Sequence, residues 1–241
     1  MLIRYGQFLF RYRNILFPVV LIALLLGFKP MPFAGNEHAD YWLDFFGLML
    51  IILGQVLRAA VIGLAYIKRG GVNKKIHADN LVTHGIFAHC RNPLYIGNEL
   101  ILAGFLVIHN NTWVYLLGGG FFLLSYSAIV AAEESFLRDK FGEEFDRYCK
   151  DVNRWLFRIR GIRQTLNSIQ FNWRRVLIKD YTTMSTWMIT VPVIFTEEHI
   201  AFHGLENSYV FMTKISIAII LTLFIMLWVR TMKKSGKLAE K

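Results

Sequence analysis

Cysteine is nearly absent: two in 241 residues, Cys90 and Cys149, without the spacing of metal ligands, which excludes a disulfide framework and a zinc site. Proline is scarce at 5, and the 18 glycines have no period, so collagen-like and low-complexity chains are excluded. Charged side chains make up only 18% against about 25% in an ordinary soluble domain, while 55% of residues are hydrophobic. With a mean hydropathy of +0.40, the chain has more apolar side chain than a water-soluble globule of this size has interior to hide. No Walker, Gly-x-Ser-x-Gly or dinucleotide fingerprint is present. The seven histidines scatter rather than forming the dense boxes of a di-iron membrane enzyme, and Glu197-Glu198-His199 with His203 has only an isolated i, i+4 pair, so no metal is expected.

What is present is a series of apolar runs near the length of about 20 residues that a bilayer core demands. They fall at 15–28, 42–67, 94–108, 113–132, 184–195 and 209–229. Arg4, Arg11 and Arg13 before the first run give it the look of a signal peptide, but Lys29, Pro30 and Pro32 follow without a small-residue cleavage site, and it reads as a retained span. The formal net charge of +10 would suggest nucleic acid in a soluble protein. Here the distribution favours a membrane. Of 27 basic residues, 3 lie in 1–13, 5 in 68–93, 11 in 133–183 and 5 in 230–241, leaving Lys29, Arg58 and Lys214. Basic and bare loops alternate, so six spans with both termini cytoplasmic satisfy the positive-inside rule.

Between the fourth and fifth runs, 133–150 reads as a charged helix continuing from the span. Beyond it, Trp155, Ile159, Ile162, Leu166, Ile169, Trp173 and Leu177 recur at helical steps with Arg158, Arg160, Arg163, Arg174 and Arg175 between them. That pattern predicts a basic amphipathic helix, lying in the membrane interface or packed on the protein's own cytoplasmic face.

The chemistry-bearing stretch is 79–157. It contains Leu81-Val82-Thr83-His84-Gly85-Ile86-Phe87, then Cys90-Arg91-Asn92-Pro93-Leu94-Tyr95-Ile96-Gly97, a hairpin turning at Asn110-Asn111-Thr112, the pair Glu133-Glu134, Phe141-Gly142-Glu143-Glu144-Phe145, Tyr148 and Arg154-Trp155. In order and spacing this resembles the integral-membrane isoprenylcysteine carboxyl methyltransferases and, more distantly, the phospholipid methyltransferases. The resemblance covers about a third of the chain. It implies S-adenosylmethionine as cofactor, held at the cytoplasmic face by Asp79, Asn80, Leu81, Val82, Phe87, Asn92, Pro93, Leu94, Tyr95 and Glu133, with Glu134 the alternative one residue on. Asn92 replaces the family's histidine and Phe87 its tyrosine. Ile129 and Val130 stand where members that methylate a prenylcysteine carboxylate often have an arginine, which leaves such an acceptor without its expected counter-ion.

The residues support that reading in their own terms. Pro93 suits the first turn of a helix, and the N–H groups there, with Arg91 near, favour an anionic group such as a carboxylate. Glu133 suits an amino group or ribose hydroxyls, and Phe87 and Tyr95 offer flat faces to an adenine or a sulfonium. Glu99, a turn and a half inside the third run, is a costly charge there, either a base for an amine or hydroxyl acceptor or the ion-pair partner of Arg58; the pair is favoured. Arg91 and Glu99 are the candidate catalytic residues.

The expectation is therefore an all-α polytopic transmembrane bundle of about six spans with a cytoplasmic helical cofactor cap. Residues 1–71 form a two-span region, 72–157 the methyltransferase core, 158–183 the amphipathic helix and 184–241 a two-span extension. The expected activity is methyl transfer to a lipid or lipid-like acceptor, prenylated ones included, with the bilayer and no nucleic acid as partners. The rivals are a sterol-type NADPH-dependent reductase and a non-enzymatic transporter or scaffold.

Overall fold

The computed structural model describes residues 1–64, 76–168 and 170–238. Lys68, Arg69, Lys74 and Lys75, the end of the second run at Ile67, the boundary at 71 and 72, Ile169 and Lys241 lie outside the described residues. Among the described residues eight α-helices follow in order: α1 Leu2–Gly27, α2 Glu37–Leu64, α3 Pro93–His109, α4 Gly120–Phe141 with a π-helical lead-in at Val114–Gly119, α5 Glu143–Asp151, α6 Ile162–Ser168, α7 Trp173–His203 and α8 Tyr209–Lys234. No strand occurs among the described residues. The protein is an integral-membrane helical bundle. Four stretches are long and apolar enough to cross a membrane, 2–27, 38–64, 114–141 and 206–234, and α3 is a shorter apolar helix.

Small residues set the packing, as expected where lipid and core are equally apolar and close approach supplies the attraction. Gly47 and Gly54 of α2 face Gly104 and Gly97 of the antiparallel α3. A Cβ at Gly54 would meet Gly97 O at 2.5 Å, and one at Gly104 would meet Gly47 O at 2.5 Å. On the other side, α1 lies on α4 so closely that a Cβ at Gly6 would meet Ala128 O at 1.9 Å. Leu21, Leu25, Ile51, Ile101, Phe105, Phe122, Val191 and Ile194, drawn from α1, α2, α3, α4 and α7, form the main apolar core.

The α3–α4 hairpin turns where the sequence expects it. Asn110 takes the left-handed conformation (φ 44°) that stops α3, and Asn111 Oδ1 accepts from Trp113 N–H at 2.9 Å. The same corner pins the α1–α2 loop: Asn110 Nδ2 donates to Met31 O at 2.8 Å and Asn111 Nδ2 to Lys29 O at 3.0 Å. The charged helix after the fourth run is two helices, broken at Gly142 (φ 52°), a backbone that a side chain would strain.

One expectation fails. The 158–183 stretch is not one amphipathic helix. Residues 152–161 run irregularly, α6 has seven residues, and 173–183 is the first third of the 31-residue α7. The reason is local and tertiary together. Arg91 N–H donates to Asn153 O at 3.0 Å and Arg158 N–H to His89 O at 2.9 Å, which straps this segment along the loop before α3. Asn172 then caps α7, its Oδ1 accepting from Arg175 N–H at 2.9 Å.

Candidate active site

The loop 76–92 reaches α3 through a short 3-10 turn, Gly85–Ala88, that opens on Gly85 at φ 64°. Asn92 is the N-cap of α3 and Pro93 its first residue. The Tyr95 and Ile96 N–H groups already donate to Asn92 O, at 3.1 and 3.2 Å, so the first turn offers an anion less than the sequence suggests. Burial pushes the thiol of Cys90, beside this turn, up to about 11, so it is inert; burial raises Cys149 too.

The two adjacent glutamates separate cleanly. On α4 successive residues point about 100° apart. Glu134 turns inward and is buried, where Arg154 Nε donates to it at 3.0 Å, Arg154 Nη2 meets the same oxygen at 2.5 Å, Arg91 Nε lies 3.3 Å away and Asn92 Nδ2 is 3.5 Å away. Asn92 Nδ2 also donates to Arg154 O at 3.2 Å. This knot ties the start of α3 to α4 and to the strap at 152–158. Glu133 faces a cavity instead. It accepts from Tyr95 OH at 2.7 Å, and Arg13 Nη1 from α1 donates to the same hydroxyl at 2.9 Å. Tyr95 rests against Tyr126, ring centroids 5.4 Å apart.

That cavity has a volume of about 1020 Å³, at the upper end of the usual range of roughly 300–1,000 Å³ for a small-ligand site. Its polar end is lined by His77, Phe87, Arg91, Asn92, Tyr95 and Glu133. It continues between α1, α3 and α7 along Phe17, Leu21, Leu25, Phe105, Trp187 and Val193, an apolar passage ending near Glu197. Polar side chains Arg58, Asn98, Thr182, Thr183 and Thr186 sit along the way.

Of the residues expected at the site, Phe87, Arg91, Asn92, Pro93, Leu94, Tyr95 and Glu133 come together on this cavity. Glu134 and Glu99 are not among its lining residues, nor are Asp79, Asn80, Leu81 and Val82; Asp79 instead meets His77 Nε2 at 2.9 Å. Arg91 is engaged with Glu134. The favoured pair of Glu99 with Arg58 does not form. Arg58 is buried against Asp180 of α7: its Nε donates to Asp180 Oδ2 at 3.3 Å, its Nη2 binds Oδ1, its Nη1 binds Asn98 Oδ1, and Nη2 also donates to Thr183 Oγ1 at 3.0 Å. Gln55 Nε2 completes the shell by donating to Asp180 Oδ2 at 2.9 Å, while Trp187 Nε1 donates to Gln55 Oε1 at 3.1 Å. The sequence reading missed Asp180, Arg13, Tyr126 and the α7 threonines. For the α7 residues the signal was the helical spacing of Asp180, Thr183 and Trp187, split between the stretch read as interfacial and the run at 184–195. His199 Nδ1 is 2.9 Å from Ser208 Oγ, and its ring stacks on His203 and Phe211.

An all-helical membrane protein with one elongated cavity, polar at one end and apolar along its length, is the class that fold and site define. Residues 42–144, which supply most of α2, α3, α4 and the loop between, match the phospholipid methyltransferase family. The chain is also similar to a probable protein-S-isoprenylcysteine O-methyltransferase of Oryza sativa (28% identical over 120 residues, 48% of this chain and 63% of that one). Arabidopsis thaliana protein-S-isoprenylcysteine O-methyltransferase A is 29% identical over 115 residues, 46% and 58% of the two chains. A nickel-cobalt-cadmium resistance protein of Alcaligenes xylosoxydans is 28% identical over 148 residues, 60% and 64%. The chain thus spans about six-tenths of the length of these relatives. No solved structure matches it.

Proposed function

We propose that this protein transfers a methyl group from S-adenosylmethionine to a lipid or lipid-like acceptor, at the membrane face where α3 begins and α4 ends. The observation that carries this is the continuity of the cavity: the Glu133–Tyr95–Arg13 end opens into an apolar passage of membrane-spanning depth. The donor set fits the cofactor. Glu133, Arg91 and the faces of Phe87 and Tyr95 offer a carboxylate, a cation and aromatic surface to an amino acid, a ribose, an adenine and a sulfonium. When bound, S-adenosylmethionine supplies an electrophilic methyl carbon. The chain's own residues orient the acceptor, keep the two ligands end to end and exclude water between them. Six spans with both termini cytoplasmic would put this end of the cavity at the cytoplasmic surface.

The acceptor's class follows from the lining. The passage suits an acyl or isoprenoid tail. Arg13, reaching the cavity from α1, gives an anionic acceptor the cation that the turn before Glu133 lacks, where Ile129 and Val130 are buried. A prenylated carboxylate, the acceptor type in the names of the rice and Arabidopsis relatives, is therefore compatible with this site. The metal-resistance relative shows that likeness in this core does not fix one role. Calorimetric titration of the purified protein in detergent tests the reading. S-adenosylhomocysteine is expected to bind, NADPH is not, and Glu133→Ala weakens the binding at least tenfold. Binding of NADPH alone points to the reductase reading, and binding of neither to a scaffold or transporter.

A further inference from the structure

At the opposite end of the bundle from Glu133, one carboxylate oxygen from each of Asp40, Asp44 and Glu198 lies within 4.8 Å of the others. Asp40 and Asp44 are one turn apart at the start of α2, and Glu198 is near the end of α7. Asp40 is 2% exposed and Glu198 7%. Asp40 Oδ1 has a structural task, accepting from Phe33 N–H at 2.9 Å and lying 3.4 Å from Asn110 Nδ2. Its Oδ2 is buried with no hydrogen-bond partner, and so is Asp44 Oδ1. Glu198 meets only the other two carboxylates among the described residues, and no basic side chain there pairs with any of the three.

Three clustered carboxylates, two of them buried, without a counter-charge among the described residues are costly, because each loses hydration and repels the others. The helix ends do not resolve this. The N-terminus of α2 favours Asp40, but Glu198 stands five residues from the C-terminus of α7, where the dipole opposes a negative charge. Buried oxygens without hydrogen-bond partners in a cluster of carboxylates call for a ligand.

We propose that Asp40 Oδ2, Asp44 and Glu198 form a binding site for a hard divalent cation of the calcium class. The donors are all oxygen, which suits calcium, magnesium or manganese rather than a softer metal. Calcium takes oxygen ligands at about 2.3–2.6 Å, so two ligands of one ion lie at most about 5 Å apart, which accommodates the spacing here; magnesium, at about 2.1 Å, needs them closer. The ion would fasten α7 to the start of α2 and, through Asp40, to the corner made by Phe33 and Asn110. This reading is independent of the methyltransferase proposal, since the site shares no residue with the Glu133 end.

Equilibrium dialysis of the chelator-treated full chain in detergent against radiolabelled Ca²⁺ tests it. One Ca²⁺ per chain is expected, with a dissociation constant of roughly 10⁻³ M or tighter, the weak end being that of extracellular modules. Asp44→Asn and Glu198→Gln, which keep side-chain size and leave the Asp40 bonds intact, are each expected to weaken it at least tenfold. Elution volume and helical circular dichroism establish that each variant is folded, and either variant alone suffices. Absence of saturable uptake by the wild-type chain, or uptake unchanged in a folded variant, overturns the proposal and leaves the carboxylates sharing protons instead.

Discussion

The helices α2 and α7 meet twice through charge, and the two meetings are opposites. Arg58 with Asp180 lies about 27 Å along the pair from Asp40 with Glu198, eighteen residues at 1.5 Å each on both helices. At the first, a buried cation faces a buried anion, and Gln55, Asn98 and Thr183 satisfy the remaining hydrogen-bonding groups. At the second, three carboxylates face one another with orphaned oxygens. The pair of helices is the same, and every one of these side chains but the half-buried Asp44 is buried. What differs is whether the chain carries its own counter-charge. The balanced end holds itself together, and the unbalanced end waits for something from solution.

The largest effect is expected where the balance is broken. Arg58→Leu removes the buried cation that faces buried Asp180, which costs about 3–5 kcal/mol. Asp180→Leu alone strands Arg58 by a similar amount. The double variant, apolar at both positions, is expected to recover much of the loss, because a buried ion pair is worth little against well-packed apolar side chains. Denaturant or thermal unfolding in detergent measures all three. A double variant no better than the worse single one would mean that the hydrogen bonds to Asn98 and Thr183, rather than the charges, hold α7.

That the pair is Arg58 with Asp180 and not with Glu99 marks where the sequence stops being informative. Hydropathy and charge runs placed α1 to α4 and α8, since each is a local property of its own residues. The start of α7 was not local. Arg174, Arg175, Lys179 and Asp180 interrupt the apolar run, and the arrival of Arg58 and Gln55 from α2 makes Asp180 tolerable inside. Arg13 was counted among the cytoplasmic charges of its loop, because nothing in one helix reveals that Tyr95 of another will reach it. The glycines at 47, 54, 97 and 104 lie seven apart on each helix, a spacing visible in the sequence, yet their use depends on α2 and α3 facing each other. At the site, motif order named Phe87, Arg91, Asn92, Tyr95 and Glu133, which lie on one cavity, and Asp79 to Val82, which are not among its lining residues. It left Glu133 and Glu134 unresolved, because order along the chain carries no rotation about a helix.

A second, smaller effect sharpens the contrast between paired and unpaired carboxylates within one helix. Glu134→Gln removes the charge that Arg91 and Arg154 answer, and about 1.5–3 kcal/mol of stability is expected to go with it, the scale of a hydrogen bond to a charged group. Glu133→Gln keeps the acceptor for Tyr95 OH and lines the cavity without an ion-pair partner of its own among the described residues, so its melting temperature is expected to stay near that of the parent while ligand binding falls. Differential scanning calorimetry beside the calorimetric titration separates the two. If Glu133→Gln is the destabilising one, the assignment of Glu134 as the structural knot and Glu133 as the binding carboxylate is reversed.

The smallest effect concerns the unbalanced end, and its sign is what matters. In chelator, Asp44→Asn removes one of three mutually repelling carboxylates and keeps the size of the side chain. The α1–α2 corner is held by Asp40 Oδ1. Relief of like-charge repulsion is therefore expected to leave the variant as stable as the parent or raise it by up to about 1 kcal/mol, a gain opposite in sign to the usual effect of a substitution. In saturating Ca²⁺ the order is expected to reverse. The parent gains RT ln(1 + [L]/Kd), about 2.7 kcal/mol at a hundredfold excess over Kd, and the variant, binding at least tenfold more weakly, gains correspondingly less. Melting curves of the two proteins in chelator and in Ca²⁺ supply the four numbers needed. Curves that cross between the two conditions match an end of the molecule built around an external cation. A variant less stable than the parent in both, by the same amount, would show that Asp44 contributes an ordinary contact and that the carboxylate end is, like the Arg58 end, already balanced within the chain.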